Sequence, residues 1–179
     1  FDAADRVDDD PARPADASDL YLLDRSTGAL RRLTDHPAAD RFPSFFPDSR
    51  TILFRSERDG NSELYTIGID GTGLRRLTNN AAYDAYGTVS PDGRRIAFQS
   101  SRSGNDDVYV MDIASGDPGQ AASVTDGLRV YREPRFTADG RALVLRAYDL
   151  REYQAYAAPD APYRRHTIVR LPLPIAFSP

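Results

Sequence analysis

A fixed interval of 44 residues runs through most of this 179-residue sequence. Pro47-Asp48-Ser49 returns 44 positions later as Pro91-Asp92-Gly93, and three tyrosines keep the same spacing: Tyr21, Tyr65 and Tyr109. Leu33-Thr34 recurs after 44 residues as Leu77-Thr78 and after a further 47 as Val124-Thr125. A period of roughly 20–50 residues indicates stacked copies of one supersecondary unit, so this interval constrains the fold before any single residue is interpreted.

Each copy consists of short β-forming runs separated by turn residues. Runs such as Thr51–Arg55 and Glu63–Ile69 are bounded by Pro, Asp, Asn, Ser and Gly, without a helical period between them. In the Pro-Asp-Gly turns, proline presets φ at the first central position and glycine accepts the positive φ that follows. The sequence therefore predicts an all-β repeat architecture with strands joined by hairpins.

Several motifs that keep their register carry a family resemblance. One copy reads Pro43-Ser-Phe-Phe-Pro-Asp48, Phe54-Arg-Ser-Glu-Arg-Asp-Gly60, Leu64-Tyr65 and Leu77-Thr78. The next reads Val89-Ser-Pro-Asp-Gly93, Phe98-Gln-Ser-Ser-Arg-Ser-Gly104, Val108-Tyr109 and Val124-Thr125. With these motifs, residues 19–146 resemble the TolB-type β-propeller repeat, which implies four-stranded blades around a channel and frequent export to the periplasm or cell surface. Gly87, at the position of Pro43, and Ala138, in place of a turn proline, depart from the pattern.

The resemblance predicts a partial or small β-propeller of four-stranded antiparallel blades, with extended N- and C-terminal arms. Residues 1–18 form an acidic, proline-rich arm. The repeats at 19–146 comprise a half blade (19–34), two blades (40–78 and 84–125) and the start of another (131–146). Residues 147–179 contain an irregular Tyr/Arg-rich insertion, a strand at 166–171 and an apolar tail from Leu171, whose prolines we expect to keep it from pairing inside a sheet.

Composition excludes several kinds of function. A net charge of −4 without a basic stripe argues against nucleic-acid binding, and no apolar run reaches the roughly 18 residues of a membrane span. The chain has no cysteine, and neither His36 nor His166 lies in a nucleophile-elbow or zinc motif. Asp8-Asp9-Asp10 lacks the spacing of a calcium loop. We therefore predict no catalytic, cofactor or metal site.

Asp40 and Asp84 open equivalent loops before the innermost strands. They are placed to bind a cation or to hydrogen-bond the serines and arginines that recur at 56/58 and 100/102. We favour the second role, because a polar group repeated in a repeat protein normally satisfies the repeat itself.

The number of blades is a further clue, since propellers close with roughly four to eight blades and relatives carry about six. Open sheet edges favour aggregation unless they are covered. Four hypotheses follow: the edges are covered by a partner protein, by a second copy that completes a ring or by the tail, or the chain is a fragment of a longer protein.

Tyr and Arg, which are enriched at interface hot spots, cluster where the repeat breaks. We predict that a partner protein contacts this insertion and the apolar tail, through Tyr148, Arg151, Tyr153, Tyr156, Tyr163, Arg164, Arg165, Leu171, Leu173, Ile175 and Phe177. The function predicted is a non-catalytic interaction module, a structural or accessory subunit of a periplasmic or membrane-associated complex. The alternative is a propeller that gates or positions substrate for a dipeptidyl-peptidase-like hydrolase whose catalytic domain lies elsewhere.

Overall fold

The computed structural model describes residues 17–113, 121–149 and 166–174, which form thirteen β-strands and no helix. In chain order the strands are β1 (Tyr21–Leu23), β2 (Leu30–Arg32), β3 (Asp40–Phe45), β4 (Thr51–Ser56), β5 (Glu63–Gly68), β6 (Arg75–Arg76), β7 (Asp84–Val89), β8 (Arg95–Ser100), β9 (Asp107–Asp112), β10 (Ala121–Ser123), β11 (Arg129–Phe136), β12 (Ala142–Asp149) and β13 (Thr167–Pro172).

The strands form four antiparallel sheets in sequence order. Sheet 1 contains β1 and β2, sheet 2 contains β3 to β6, sheet 3 contains β7 to β10 and sheet 4 contains β11 to β13. The first strands of sheets 2, 3 and 4 (β3, β7 and β11) contact one another in that order, and we call them the inner strands. Buried apolar side chains join sheet 1 to sheet 2, sheet 2 to sheet 3 and sheet 3 to sheet 4, and no contact joins the described strands of sheets 1 and 4, so the sheets form an open arc of propeller blades.

The turns after the inner strands follow the repeated sequence. Asp48 accepts hydrogen bonds from the backbone of Arg50 (2.8 Å) and Thr51 (2.9 Å), and Asp92 and Asp139 accept equivalent bonds. The next position has a positive φ, 74° at Gly93 and 68° at Gly140, as the turn type predicts. Ser49 adopts the same conformation at 55° without the freedom of glycine.

The Leu-Thr motif ties the outer part of each sheet together. The hydroxyl oxygen of Thr34, Thr78 or Thr125 accepts a hydrogen bond, 2.9–3.0 Å long, from the backbone N–H of Leu20, Leu64 or Val108 respectively. The preceding Leu33 and Leu77 are buried in the apolar layers between sheets. One motif therefore closes the outer edge of a sheet and contributes to the adjoining core, which explains its recurrence.

Three apolar layers hold the arc together, one between each pair of neighbouring sheets. The layer between sheets 2 and 3 contains the side chains of Leu53, Leu64, Leu77, Ile96, Phe98, Tyr109 and Met111. Successive residues of a strand point to opposite faces, so Leu53 faces sheet 3 while Phe54 faces sheet 1. Each complete sheet is thus buried on both faces.

The segment 171–173 corrects one expectation. A strand does occur at Thr167–Pro172, but it pairs with β12 along its length, with Leu171 opposite Leu143 and Pro172 opposite Ala142. Leu171 is half-buried and Leu173 is buried in the core between sheets 3 and 4. The prediction of an unpaired apolar tail is therefore wrong for Leu171 to Leu173; Pro172 is tolerated because β13 is the edge strand of sheet 4 among the described strands.

Each end of the arc exposes apolar side chains whose counterparts are covered elsewhere. Val144 and Ile168 of sheet 4 are 36% and 60% exposed, whereas Ala97 and Val108, at the same positions of sheet 3, are fully buried against sheet 4. Phe45 of sheet 2 is 54% exposed at the opposite end. We call these the end faces. No helix long and apolar enough to cross a membrane occurs in the described part of the chain.

Acid should weaken the repeated turns. Hydrogen bonds, first from the Ser90 hydroxyl and also from the Arg94 backbone, hold the pKa of Asp92 below its usual value. A carboxyl with a depressed folded-state pKa stabilises the fold above its unfolded pKa, and this contribution disappears as pH falls through the folded value. We expect Asp92→Ala to be less stable than the parent chain at about pH 7, with the difference vanishing well below about pH 4. Urea unfolding at stepped pH measures it; a pH-independent difference would contradict the assignment.

Candidate functional site

The repeated Asp, Ser and Arg residues form a buried network. Arg102 donates to the buried Asp84 carboxylate at 2.8 Å and, through Nε, to the Ser100 hydroxyl at 2.8 Å. Arg58 makes the same bonds to Asp40 (2.9 Å) and Ser56 (2.9 Å) one sheet earlier. The expectation that Asp40 and Asp84 hydrogen-bond the recurring residues is confirmed for Arg58 and Arg102, and each of these arginines links its aspartate to the recurring serine, so the network serves the repeat.

A different set of residues was missed by sequence reasoning. Phe42, Tyr86 and Glu133 have positive φ values of 56°, 53° and 52°. They occupy equivalent positions in β3, β7 and β11. Each lies at the point where the pairing of its strand with the following strand (β4, β8 or β12) shifts in register. Bulky non-glycine residues rarely adopt this conformation, and strained residues concentrate at functional sites. Three inner strands therefore carry one strained β-bulge each.

The first two bulges bring aromatic rings into contact. The ring centroids of Phe42 and Tyr86, from neighbouring sheets, are 4.5 Å apart with a 40° interplanar angle. The Arg55 guanidinium lies 5.6 Å from the Phe42 ring and 5.5 Å from the Tyr83 ring. Phe42 is 42% exposed, although it belongs to a strand whose first residue, Asp40, is buried. We call Phe42, Arg55, Tyr83 and Tyr86 the inner cluster.

Arg55 organises the inner cluster. It donates to the Tyr83 hydroxyl at 3.0 Å and forms an ion pair with Glu57. The residue is buried, and its Nε has no hydrogen-bond partner among the described residues. Burial raises the pKa of the Tyr83 phenol, with Arg55 opposing the shift, so the hydroxyl is neutral at physiological pH and can accept from Arg55. Arg55 therefore contacts the Phe42 and Tyr83 rings from a buried position and holds them in place.

The third bulge extends the surface with charge. Glu133 and Arg146 pair at 3.3 Å, with both side chains about two-fifths exposed (36% and 43%). Arg146 stands at the position that Gln99 and Arg55 occupy in the preceding sheets. The surface along the inner strands is therefore aromatic at sheets 2 and 3 and carries an exposed ion pair at sheet 4.

The structure describes only some of the partner-binding residues expected from sequence. Tyr148 is buried in β12, with its ring 5.6 Å from that of His166, and Leu171 and Leu173 belong to the core as described above. The remaining residues lie outside the described part of the chain: Arg151, Tyr153, Tyr156, Tyr163, Arg164, Arg165, Ile175 and Phe177. The acidic run at Asp8–Asp10 lies outside it as well.

A signal for the inner cluster was present in the sequence. In three otherwise similar copies, position 42 and its counterparts 86 and 133 hold Phe, Tyr and Glu. Position 55 and its counterparts 99 and 146 hold Arg, Gln and Arg. In a repeat, positions that satisfy the fold stay constant, while positions that vary beside constant ones are free to serve binding. The positive φ at these bulges has no sequence signal, because none of these residues favours it.

Comparison with known proteins agrees with this architecture. A family model described as the TolB beta propeller domain matches residues 56–158. No curated protein matches the chain significantly.

Solved structures give the same fold. A putative TolB from Agrobacterium tumefaciens is 28% identical with a TM-score of 0.64, and the match covers 74% of this chain and 47% of that one. TolB from Acinetobacter baumannii is 24% identical with a TM-score of 0.61, over 90% of this chain and 39% of that one. The chain thus spans less than half the length of either TolB structure. A puromycin-hydrolyzing peptidase from Mycobacterium tuberculosis, 18% identical with a TM-score of 0.63 over 90% of this chain and 24% of that one, shares the fold alone.

Proposed function

Because this chain belongs to the TolB β-propeller family, we propose that it is a non-catalytic protein-interaction module whose binding surface is the inner cluster. The observation that carries the proposal is the contact of Phe42 with Tyr86 at two strained, partly exposed positions of neighbouring blades. The β-bulge recurs in all three inner strands, so the positive φ belongs to the repeat; positions 42 and 86 differ from position 133 in carrying partly exposed aromatic rings, as a binding role requires.

The chemistry of the inner cluster suits a protein partner. Tyrosine and other aromatic side chains bury a large, rigid area at low conformational-entropy cost, and Tyr is enriched at interface hot spots. Arg55, itself fixed by Tyr83 and Glu57, holds the rings in place, so little side-chain freedom remains to be lost on binding. The adjoining Glu133–Arg146 pair supplies a polar rim.

The Tyr/Arg-rich insertion belongs to the same proposal. It leaves β12 after Asp149 and returns before β13 at Thr167, at the end of the sheets where β3, β7 and β11 begin. We propose that the partner also contacts Arg151, Tyr153, Tyr156, Tyr163, Arg164 and Arg165, which are of the residue types enriched at interface hot spots.

We further propose that the chain acts in the periplasm or outside the cell, as a structural or accessory subunit of an envelope complex. Its similarity to TolB proteins from two bacteria supports this setting. The end faces support assembly, because Val144 and Ile168 expose apolar area that is fully covered in the neighbouring sheet. A partner protein and a second copy both remain candidates to cover them.

The hydrolase hypothesis stays a prediction. Likeness to a peptidase at 18% identity shows the fold alone, and a gating role would place substrate, not a protein partner, against the inner cluster.

Co-purification from the envelope of the source organism tests the proposal. The tagged full chain should retain a defined partner, and Phe42→Ala combined with Tyr86→Ala should lower its recovery at least about 10-fold, as expected for hot spots. The matched control is Leu74→Ala, which removes an exposed apolar side chain next to β6 of sheet 2, outside both the inner cluster and the end faces. Equal recovery with the double variant, at unchanged folding, would refute the assignment. Loss with Phe45→Ala alone would move the interface to the end face.

A further inference from the structure

In sheet 2, and again in sheet 3, a pair of aromatic rings fills the space on one face of the sheet. Phe54 pairs with Tyr65, ring centroids 5.8 Å apart, and Phe98 pairs with Tyr109 at 6.1 Å. All four residues are buried. An arginine guanidinium lies over each tyrosine, Arg58 at 5.1 Å and Arg102 at 4.6 Å.

Sheet 4 lacks both rings. The strand register places Leu145 opposite Val169, where sheets 2 and 3 have Phe opposite Tyr. The position of the stacking arginine is taken by Asp149. Val124, which closes this space from the end of β10, is also smaller than its counterparts Leu33 and Leu77. These three replacements remove side-chain volume from one inter-blade space, and Tyr131, which stands where sheets 2 and 3 have Asp40 and Asp84, returns one ring to it.

The result is a groove open to solvent between β10 and β13. It has a volume of about 400 Å³ and an apolar lining that includes Val124, Tyr131, Leu145, Val169, Leu171 and Pro174. Thr125 and Asp126 add polar groups. Asp126 is exposed and accepts hydrogen bonds from the Tyr131 hydroxyl (2.8 Å) and the Leu128 backbone (3.0 Å).

We propose that this groove binds an aromatic side chain, preferably a tyrosine, presented by a partner protein. The same backbone frame holds a tyrosine ring in sheets 2 and 3, so its shape accepts a planar ring. In sheet 2 the hydroxyl of that ring, on Tyr65, donates to the carboxylate of Asp59. The Asp126 carboxylate already accepts the Tyr131 hydroxyl through Oδ1, and its second oxygen can accept another phenol hydroxyl in the same way. The guest ring would lie beside that of Tyr131 and take the place of the ring that is missing at Val169.

p-Cresol, the side-chain analogue of tyrosine, is the probe. Titration into the full chain, followed by NMR of the valine and leucine methyl groups, should shift Val124, Val169 and Leu171 with a Kd on the order of 1 mM, as expected for so small a ligand. 4-Methylcyclohexanol, of similar size but without a planar ring, should bind at least several-fold more weakly. Equal binding of the two probes would reduce the site to a generic apolar groove and overturn the proposal.

Two variants locate the binding. Val169→Tyr restores the missing ring and should abolish p-cresol binding, and Val124→Leu, which restores the residue found at 33 and 77, should weaken it if the first variant does not fold. Val144→Tyr is the matched control, because Val144 lies on the exposed face of the same sheet; it should leave binding unchanged. Binding that survives both groove variants would refute the site. Phe42→Ala should not affect p-cresol binding, so this test is independent of the inner cluster.

Discussion

Gly87→Ala should destabilise the fold by about 1–3 kcal/mol, the usual cost of overpacking a core. A Cβ atom at Gly87 would lie 2.7 Å from Leu53 Cδ2 and 3.3 Å from a Leu64 methyl carbon. Both leucines are fully buried between sheets 2 and 3, so neither can move away cheaply. The reduced entropy of the unfolded chain offsets only about 0.4–1 kcal/mol of this cost. Urea unfolding measures the change.

A double-mutant cycle identifies the cause. At the interface between sheets 3 and 4, Pro134 occupies the position of Gly87, and Ala97 occupies that of Leu53. The larger of the two facing residues therefore belongs to the later sheet at that interface, but to the earlier sheet at the interface between sheets 2 and 3. Leu53→Ala should cost about 2–5 kcal/mol by itself. Combined with Gly87→Ala, it should show a coupling of about 0.5–3 kcal/mol, whereas Ile67→Ala, in the other apolar layer, should add independently. Additive behaviour with Leu53→Ala would disprove the steric account.

Asp84→Ala has the second large expected effect, about 3 kcal/mol or more of lost stability. The Asp84 carboxylate is buried and accepts from Arg102 and from the Asn80 amide, each at 2.8 Å. Its removal leaves the Arg102 guanidinium against the Phe98 and Tyr109 rings, 5.3 and 4.6 Å from their centroids, without its counter-ion. An uncompensated charge in such a place is costly, although the 28% exposure of the Arg102 side chain moderates the penalty.

The control for this prediction is Asp35→Ala. Asp35 pairs with Arg32, but its side chain is 82% exposed, so its removal should change stability by less than about 1 kcal/mol. Adding Arg102→Met to Asp84→Ala should recover part of the loss, because no unpaired cation then remains. If Asp84→Ala is as mild as Asp35→Ala, the network does not stabilise the repeat.

The regular part of the fold was predictable because its sequence pattern occurs several times along the chain. Strand positions in sheets 2 and 3, the Asp turns and the Asp40–Arg58 pairing all follow from residues that recur at the same interval. Leu171 was misjudged because its partner Leu143 lies across the Tyr/Arg-rich insertion, and pairing over such a distance leaves no local pattern.

The candidate sites were harder to predict for physical reasons. The positive φ of Phe42 is imposed by a register shift against β4, which is a tertiary feature. The groove beside Val169 arises from three unrelated replacements that meet only in the folded chain. The sequence signal for the groove and for the ring at position 42 is a difference between equivalent positions of the repeat, whereas the φ value itself has none.

Hydrogen–deuterium exchange of the chain with and without its co-purified partner tests the central claim most directly. The account predicts slower exchange on binding in β3 (Asp40–Phe45) and β7 (Asp84–Val89), and no change in the turns at 46–50 and 90–94 at the opposite end of the sheets. Protection confined to those turns, or to the end face around Val144 and Ile168, would contradict a binding surface at the inner cluster.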